Sequence, residues 1–160
     1  MKRHGTTKVV AVSGGFDPIH AGHVRMLKAA KALGDRLVVI LNNDNWLKAK
    51  KGFAFMPQGE RREILEALAD VDEVVFSRHE ADGDYHDPEW RSVCRELADI
   101  KPDIFANGGD RSLEEIPEAK TCRENGIEMV FNVGHGGKIS SSSKLARAAA
   151  HAITRLPSAS

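Results

Sequence analysis

Short apolar runs rich in β-branched residues occupy positions 8–13, 36–41, 73–76, 103–106 and 128–133, and between them the apolar residues recur at helical spacing. Met26, Leu27, Ala30 and Leu33 share one helical face with Gly34 as a stop. Ile64, Leu65, Leu68 and Val71 repeat that pattern; residues 89–97 and 114–125 do so more weakly, with Gly126 as a cap for the latter, and Leu145, Ala149, Ala152 and Leu156 close the chain. Alternation of strand-like and helix-like segments predicts an α/β domain with a parallel sheet of about five strands flanked by helices. Longer connections are predicted at 48–57 and 78–88.

Composition adds limits. The chain has 160 residues, 41% hydrophobic and 29% charged, with Lys+Arg and Asp+Glu equal at 23 each. One domain is expected at 1–156, followed by a polar tail at 157–160. Balanced charge gives no broad basic face for nucleic acid, and no apolar run reaches the length of a membrane span or a signal peptide, so a cytoplasmic protein is expected. Cys94 and Cys122 have no metal-type spacing and read as reduced core thiols.

Chemistry concentrates where the first strand ends, in the stretch Gly14-Gly15-Phe16-Asp17-Pro18-Ile19-His20-Ala21-Gly22-His23. Ligands of open parallel sheets bind beyond the carboxyl ends of the strands. Gly14 and Gly15 suit a close backbone approach, and a helix beginning at Ala21 offers free N–H groups to an anion. His20 and His23, three apart, can donate to oxygens of one phosphate, with Gly22 leaving room between them. The lysine-serine ending of a P-loop is absent, the dinucleotide fingerprint's glycine spacing fails, and zinc lacks a third and fourth ligand.

His20-Ala21-Gly22-His23 after a strand, preceded by Gly15-Phe16-Asp17, resembles the His-x-Gly-His mark of the cytidylyltransferase-like nucleotidyltransferases. Further matches are Asn43-Asp44, the lysine run Lys48-Ala49-Lys50-Lys51, the helix entry from Pro57 to Arg61, Gly108-Gly109-Asp110 and Ile139-Ser140-Ser141-Ser142. The resemblance implies a Rossmann-like fold and transfer of CMP or AMP from a nucleoside triphosphate to a sugar-phosphate or polyol-phosphate acceptor. Pyrophosphate leaves and no covalent intermediate forms. It also implies roles. His20, His23 and Lys50 act in catalysis. Gly15, Phe16, Asp17, Gly22, Asp44, Gly109, Asp110, Ser140, Ser141 and Ser142 bind nucleotide, with Asp17 orienting the loop or assisting a metal. Lys48 and Arg61 bind the acceptor.

Magnesium (Mg2+) is expected from the phosphate chemistry rather than from any visible ligand set, and a homodimer from the family's habits. Trp46 stacks on a base or packs, and the polar residues from His79 to Asp87 form a solvated loop or line an acceptor pocket. The segment from Lys101 through Gly108-Gly109-Asp110 to Ile116 resembles the adenylyltransferase domain of heptose-phosphate enzymes. By contrast, Gly134-His135-Gly136-Gly137-Lys138 lacks the arginine that glycerol-phosphate cytidylyltransferases carry there. The competing expectation is a nucleotide-binding regulatory module that kept the fold and lost catalysis. An RNA-charging enzyme of the related class is excluded by size.

Overall fold

A computed structural model of the chain describes residues 7–108, 116–134 and 148–152. Five strands, β1 (Val9–Gly14), β2 (Arg36–Leu41), β3 (Glu73–Phe76), β4 (Ile104–Ala106) and β5 (Glu128–Val130), form one parallel sheet in the order β3-β2-β1-β4-β5. Chain order runs outward from β1 to β3 and then returns to the other side of β1, so the topological switch lies between β1 and β4.

Helices cover both faces. Leu27 and Ala30 of α1 (Ala21–Lys31) and Leu65 of α3 (Gln58–Glu66) pack with Val10, Val12, Val39 and Leu41. On the reverse, Leu97 of α5 (Cys94–Ile100) and Cys122 of α6 (Glu118–Glu124) pack with Ala11, Ile40 and Phe105. Both strand faces are therefore apolar, as a sheet sandwiched between helices requires. Burial pushes the Cys122 thiol up to about 11, the behaviour of a core thiol.

Several expected boundaries shift. Positions 48–51 lie not in a loop but in the last turns of α2 (Asp44–Lys51), which ends on left-handed Gly52. The helix expected over 89–97 divides into α4 (Pro88–Arg91) and α5 because Ser92 returns to extended backbone. Gly34 lies beyond the end of α1 at Lys31, where an added Cβ would come 2.8 Å from Lys8 O. Gly126 follows α6 at φ 66°, as expected of a left-handed terminator. Ile64, expected on the core face, is 38% exposed, and Arg61 and Leu65 are the buried pair of α3. Among the described residues no helix is long and apolar enough to cross a membrane.

Candidate active site

The sharp turn after β1 is held by packing on both sides. Phe16 adopts a left-handed φ of 51° and is buried, its ring filling the space an added Cβ at Gly14 would need. A Cβ on Gly15 would come 3.0 Å from the Leu47 side chain of α2. These two glycines therefore admit protein, an aromatic ring and a helix, where the sequence suggested the approach of a ligand.

His20 and His23 open α1 as a reciprocal capping box. His20 Nδ1 accepts from Gly22 N at 3.1 Å, and His23 Nδ1 accepts from His20 N at 3.2 Å. Each Nδ1 thus acts as an acceptor, which assigns the proton of both neutral rings to Nε2. The rings stack at 3.8 Å between centroids, and Phe16 meets His23 edge-on at 4.8 Å. Burial, then the neighbouring His20, lowers the His23 pKa to about 4; burial also lowers that of His20. At neutral pH the pair is uncharged and offers two Nε2–H donors side by side. Gly22 lies under the His20 ring, where a Cβ would sit 2.9 Å from Cε1. The free amides expected at the helix start are partly engaged by the rings, and the imidazoles carry the donor capacity outward.

Asp17, 1% exposed, is turned away from solvent and held inside the protein. Its oxygens accept from Phe55 N at 2.6 Å and Met56 N at 2.5 Å, and Lys51 Nζ lies 2.9 Å from Oδ2 and 2.8 Å from Asp17 O. Asp17 therefore fastens the segment linking α2 to α3, the loop-orienting one of its two expected roles. The lysine brought to it is Lys51. Lys50 stands with Nζ 5.0 Å from the Trp46 ring centroid, and Lys48 is exposed on the same helix.

Arg61 departs most from expectation. It is 1% exposed, and its guanidinium donates to Met56 O (2.9 Å), Gly15 O (2.8 Å), Asn42 O (2.6 Å) and Asp44 Oδ1 (2.7 Å). It ties the turn after β1 to the ends of β2 and α2, and those bonds leave it no fork to offer an acceptor phosphate. Asp44 is correspondingly its partner. Trp46 is buried with Nε1 donating to Arg91 O at 3.0 Å, so packing is its role.

The segment expected to be a solvated loop or the lining of an acceptor pocket holds a buried histidine. His79 Nε2 donates to Ser92 O at 3.1 Å, which makes Nδ1 the acceptor from Ser77 Oγ at 2.7 Å. Ser77 Oγ accepts in turn from Asn43 N, and His79 O accepts from the side chains of Asn43 and Asn45. This network seats the start of α2, whose N-cap is Asn43. Gly109, Asp110, Ser140, Ser141 and Ser142 lie outside the described residues. The described residues contain no cluster of three His, Cys, Asp or Glu side chains placed for a metal.

A site of two uncharged, preoriented N–H donors at the carboxyl end of the central strand suits anionic phosphate oxygens. Comparison with known proteins shows the family. A family profile described as cytidylyltransferase-like matches residues 11–144. The chain is 41% identical over 148 residues to "Bifunctional protein HldE" of Streptomyces coelicolor, covering 91% of this chain and 29% of that one. It is 39% identical over 121 residues to "FAD synthase" of Ferroglobus placidus, covering 76% and 72%. The chain thus spans less than a third of the first relative and nearly three quarters of the second. Among solved structures, the lipopolysaccharide core biosynthesis protein from Thermoplasma volcanium superposes with a TM-score of 0.61 at 24% identity, over 79% of this chain and 96% of that one, a likeness of fold. The chain belongs to the cytidylyltransferase-like family of nucleotidyltransferases.

Proposed function

We propose that the chain transfers AMP from ATP to the phosphate of a small sugar or polyol phosphate, releasing pyrophosphate. An oxygen of the acceptor phosphate attacks the α-phosphorus, the bond from that phosphorus to the bridging α–β oxygen breaks, and the pyrophosphate carries away the electron pair. The protein supplies no nucleophile. It supplies position and stabilisation of the charge spread over the transferring group.

The observation that carries this reading is the stacked pair His20 and His23, each with Nδ1 bonded to main chain and with no hydrogen bond to Nε2 among the described residues. Neutral donors already oriented need no reorganisation as charge develops, and loss of one such donor typically costs about 3–4 kcal/mol of barrier. Phe16 and Gly22 act in this reading by holding the rings, and Lys50, with Lys48 as the second choice, supplies positive charge from α2. Ser140, Ser141, Ser142, Gly109 and Asp110 complete the nucleotide pocket on the ground of family resemblance.

ATP is preferred over CTP because one relative's name makes it a FAD synthase, whose product contains adenylate, and because the segment from Lys101 to Ile116 resembles an adenylyltransferase domain. Magnesium carried in with the triphosphate would supply charge neutralisation at the leaving group. No protein carboxylate is assigned to it, since the Asp17 oxygens are occupied by two main-chain N–H groups and Lys51.

The test is pyrophosphate release with magnesium and either ATP or CTP against heptose 1-phosphate, glycerol 3-phosphate, ribitol 5-phosphate, phosphocholine and phosphoethanolamine. ATP-dependent release with a sugar or polyol phosphate is expected. Release with CTP alone overturns the choice of base. Nucleotide binding without release from any acceptor favours the regulatory module.

A further inference from the structure

Strand alternation sorts the residues at the carboxyl rim between the two faces of the sheet. Ala11, Ile40 and Phe105 pack in the core under α5 and α6. Two residues farther along each strand direction, Ser13, Asn42 and Asn107 therefore rise on that same face. The histidine pair stands over the opposite face, because α1 packs there through Leu27 and Ala30. A phosphoryl group held at the end of β1 consequently has small polar side chains across the sheet edge from the imidazoles.

Asn42 is the unusual member of that set. It is 5% exposed, its N–H donates to Gly14 O at 2.9 Å and its carbonyl accepts from Arg61 at 2.6 Å, so its main chain is fixed. Its side-chain Oδ1 is buried and has no hydrogen-bond donor among the described residues. Neighbouring rim groups are satisfied: Asn43 and Ser77 bond to each other, His79 to Ser77 and Ser92, and Asp44 to Arg61. The side chain of Asn107, also buried, makes a long 3.4 Å contact from Nδ2 to Phe105 O, while its main chain bonds to Val130 and Val133. Among the described residues Glu96 Oε2 and Glu118 Oε2 are also buried without a partner, but each of those carboxylates is held through its other oxygen, by Arg78 N and Val93 N, whereas Asn42 stands just past the carboxyl end of β2. A buried acceptor there is unfavourable until a donor arrives with a ligand.

We propose that Asn42 determines acceptor specificity: its Oδ1, after a small turn of the amide, accepts a hydrogen bond from a hydroxyl of the acceptor, with Ser13 and Asn107 beside it. The assignment rests on the nucleotidyl-transfer reading above and narrows its acceptor to a hydroxyl-rich phosphate. Phosphocholine and phosphoethanolamine, with no hydroxyl on carbon, leave Oδ1 unanswered. A ribose hydroxyl of the nucleotide offers the same chemistry, so acceptor and nucleotide are tested in separate arms.

The experiment measures ATP-dependent pyrophosphate release by the full chain with heptose 1-phosphate and each of its monodeoxy forms, for the natural sequence and for Asn42→Ala. For the natural sequence, removal of one particular hydroxyl is expected to lower kcat/KM about tenfold to a hundredfold. Asn42→Ala is expected to lose a similar factor with the parent acceptor and to be indifferent to that same hydroxyl, with the KM for ATP unchanged. Asn42→Leu, close in volume, is included in case the alanine variant folds poorly; removal of an unanswered acceptor should leave its Tm unchanged or raised, with the same loss of discrimination. Full sensitivity to every hydroxyl in both variants overturns the assignment. A raised KM for ATP, with acceptor discrimination intact, overturns it in favour of the ribose. Silence of the natural sequence with every acceptor, glycerol 3-phosphate and ribitol 5-phosphate included, removes the functional reading and the assignment with it.

Discussion

α1 and α2 both start just past the carboxyl end of a strand, both with a polar N-cap, yet they treat their polar groups in opposite ways. At α1 the cap is a pair of imidazoles whose inner nitrogens bond to main chain and whose outer nitrogens remain donors. At α2 the polar groups turn inward: Asn43 bonds to Ser77 and His79, Asp44 to Arg61, and Lys51 to Asp17. Proximity to a site thus does not make a charged residue a ligand. What decides is how many of its donors or acceptors the protein itself has already engaged.

That difference breaks most readily at Arg61. Replacement by Met keeps the bulk but leaves the carbonyls of Gly15, Asn42 and Met56 without their donor, and breaking buried charged networks costs about 3–5 kcal/mol. A Tm about 10 °C lower is expected by calorimetry, given roughly 2–4 °C per kcal/mol at this size. An unchanged Tm with a raised KM for the acceptor would instead make Arg61 a substrate ligand and erase the contrast.

The next largest effect lies at the other helix. His23→Ala is expected to lower turnover about a hundredfold or more while circular dichroism and Tm stay close to those of the natural sequence. Near-normal turnover would take His23 out of the mechanism.

The same histidine gives a smaller, pH-dependent effect. Its pKa is lowered to about 4 in the folded protein, against 6.5 unperturbed. Between those values the unfolded chain binds a proton that the folded one refuses, so stability falls as pH drops from about 6.5 towards 4. Denaturant titrations across that window should show this slope, and His23→Gln should flatten part of it. A slope unaltered by the substitution would mean that the ring is not held neutral.

Lys50→Ala is the mildest change. The side chain lies on the exposed end of α2, and a severalfold rise in the KM for ATP with little change in Tm is expected. Equal kinetics for the variant would leave α2 without an outward role and sharpen the contrast between the helices.

The features legible in the sequence are those written locally. The five strands follow from contiguous apolar runs, and the histidines declare themselves because cap, glycine and rings lie within four positions. The role of Arg61 is illegible for the opposite reason: its partners come from the turns after β1 and β2, the start of α2 and the segment before α3, and only the tertiary fold brings them to one guanidinium. The lysine run reads as a loop by its charge, although Asn43 ahead of it is a helix N-cap; that asparagine, followed by the apolar Trp46 and Leu47, was the available signal. His79, surrounded in sequence by acidic and polar residues, gave none: its burial depends on Trp46 and Trp90 closing over it. Asn42 carries no signal in the sequence either, because an asparagine after a strand is ordinary turn chemistry and its unanswered Oδ1 is a property of the folded chain.

The most direct measurement is the long-range ¹H–¹⁵N spectrum of the histidine side chains at neutral pH, with and without ATP, assigned through His20→Gln and His23→Gln. Both rings are expected to be neutral Nε2–H tautomers, and both Nε2 resonances are expected to move when ATP binds. Protonated rings, Nδ1–H tautomers, or Nε2 resonances unmoved by bound ATP would contradict the donor role of the pair.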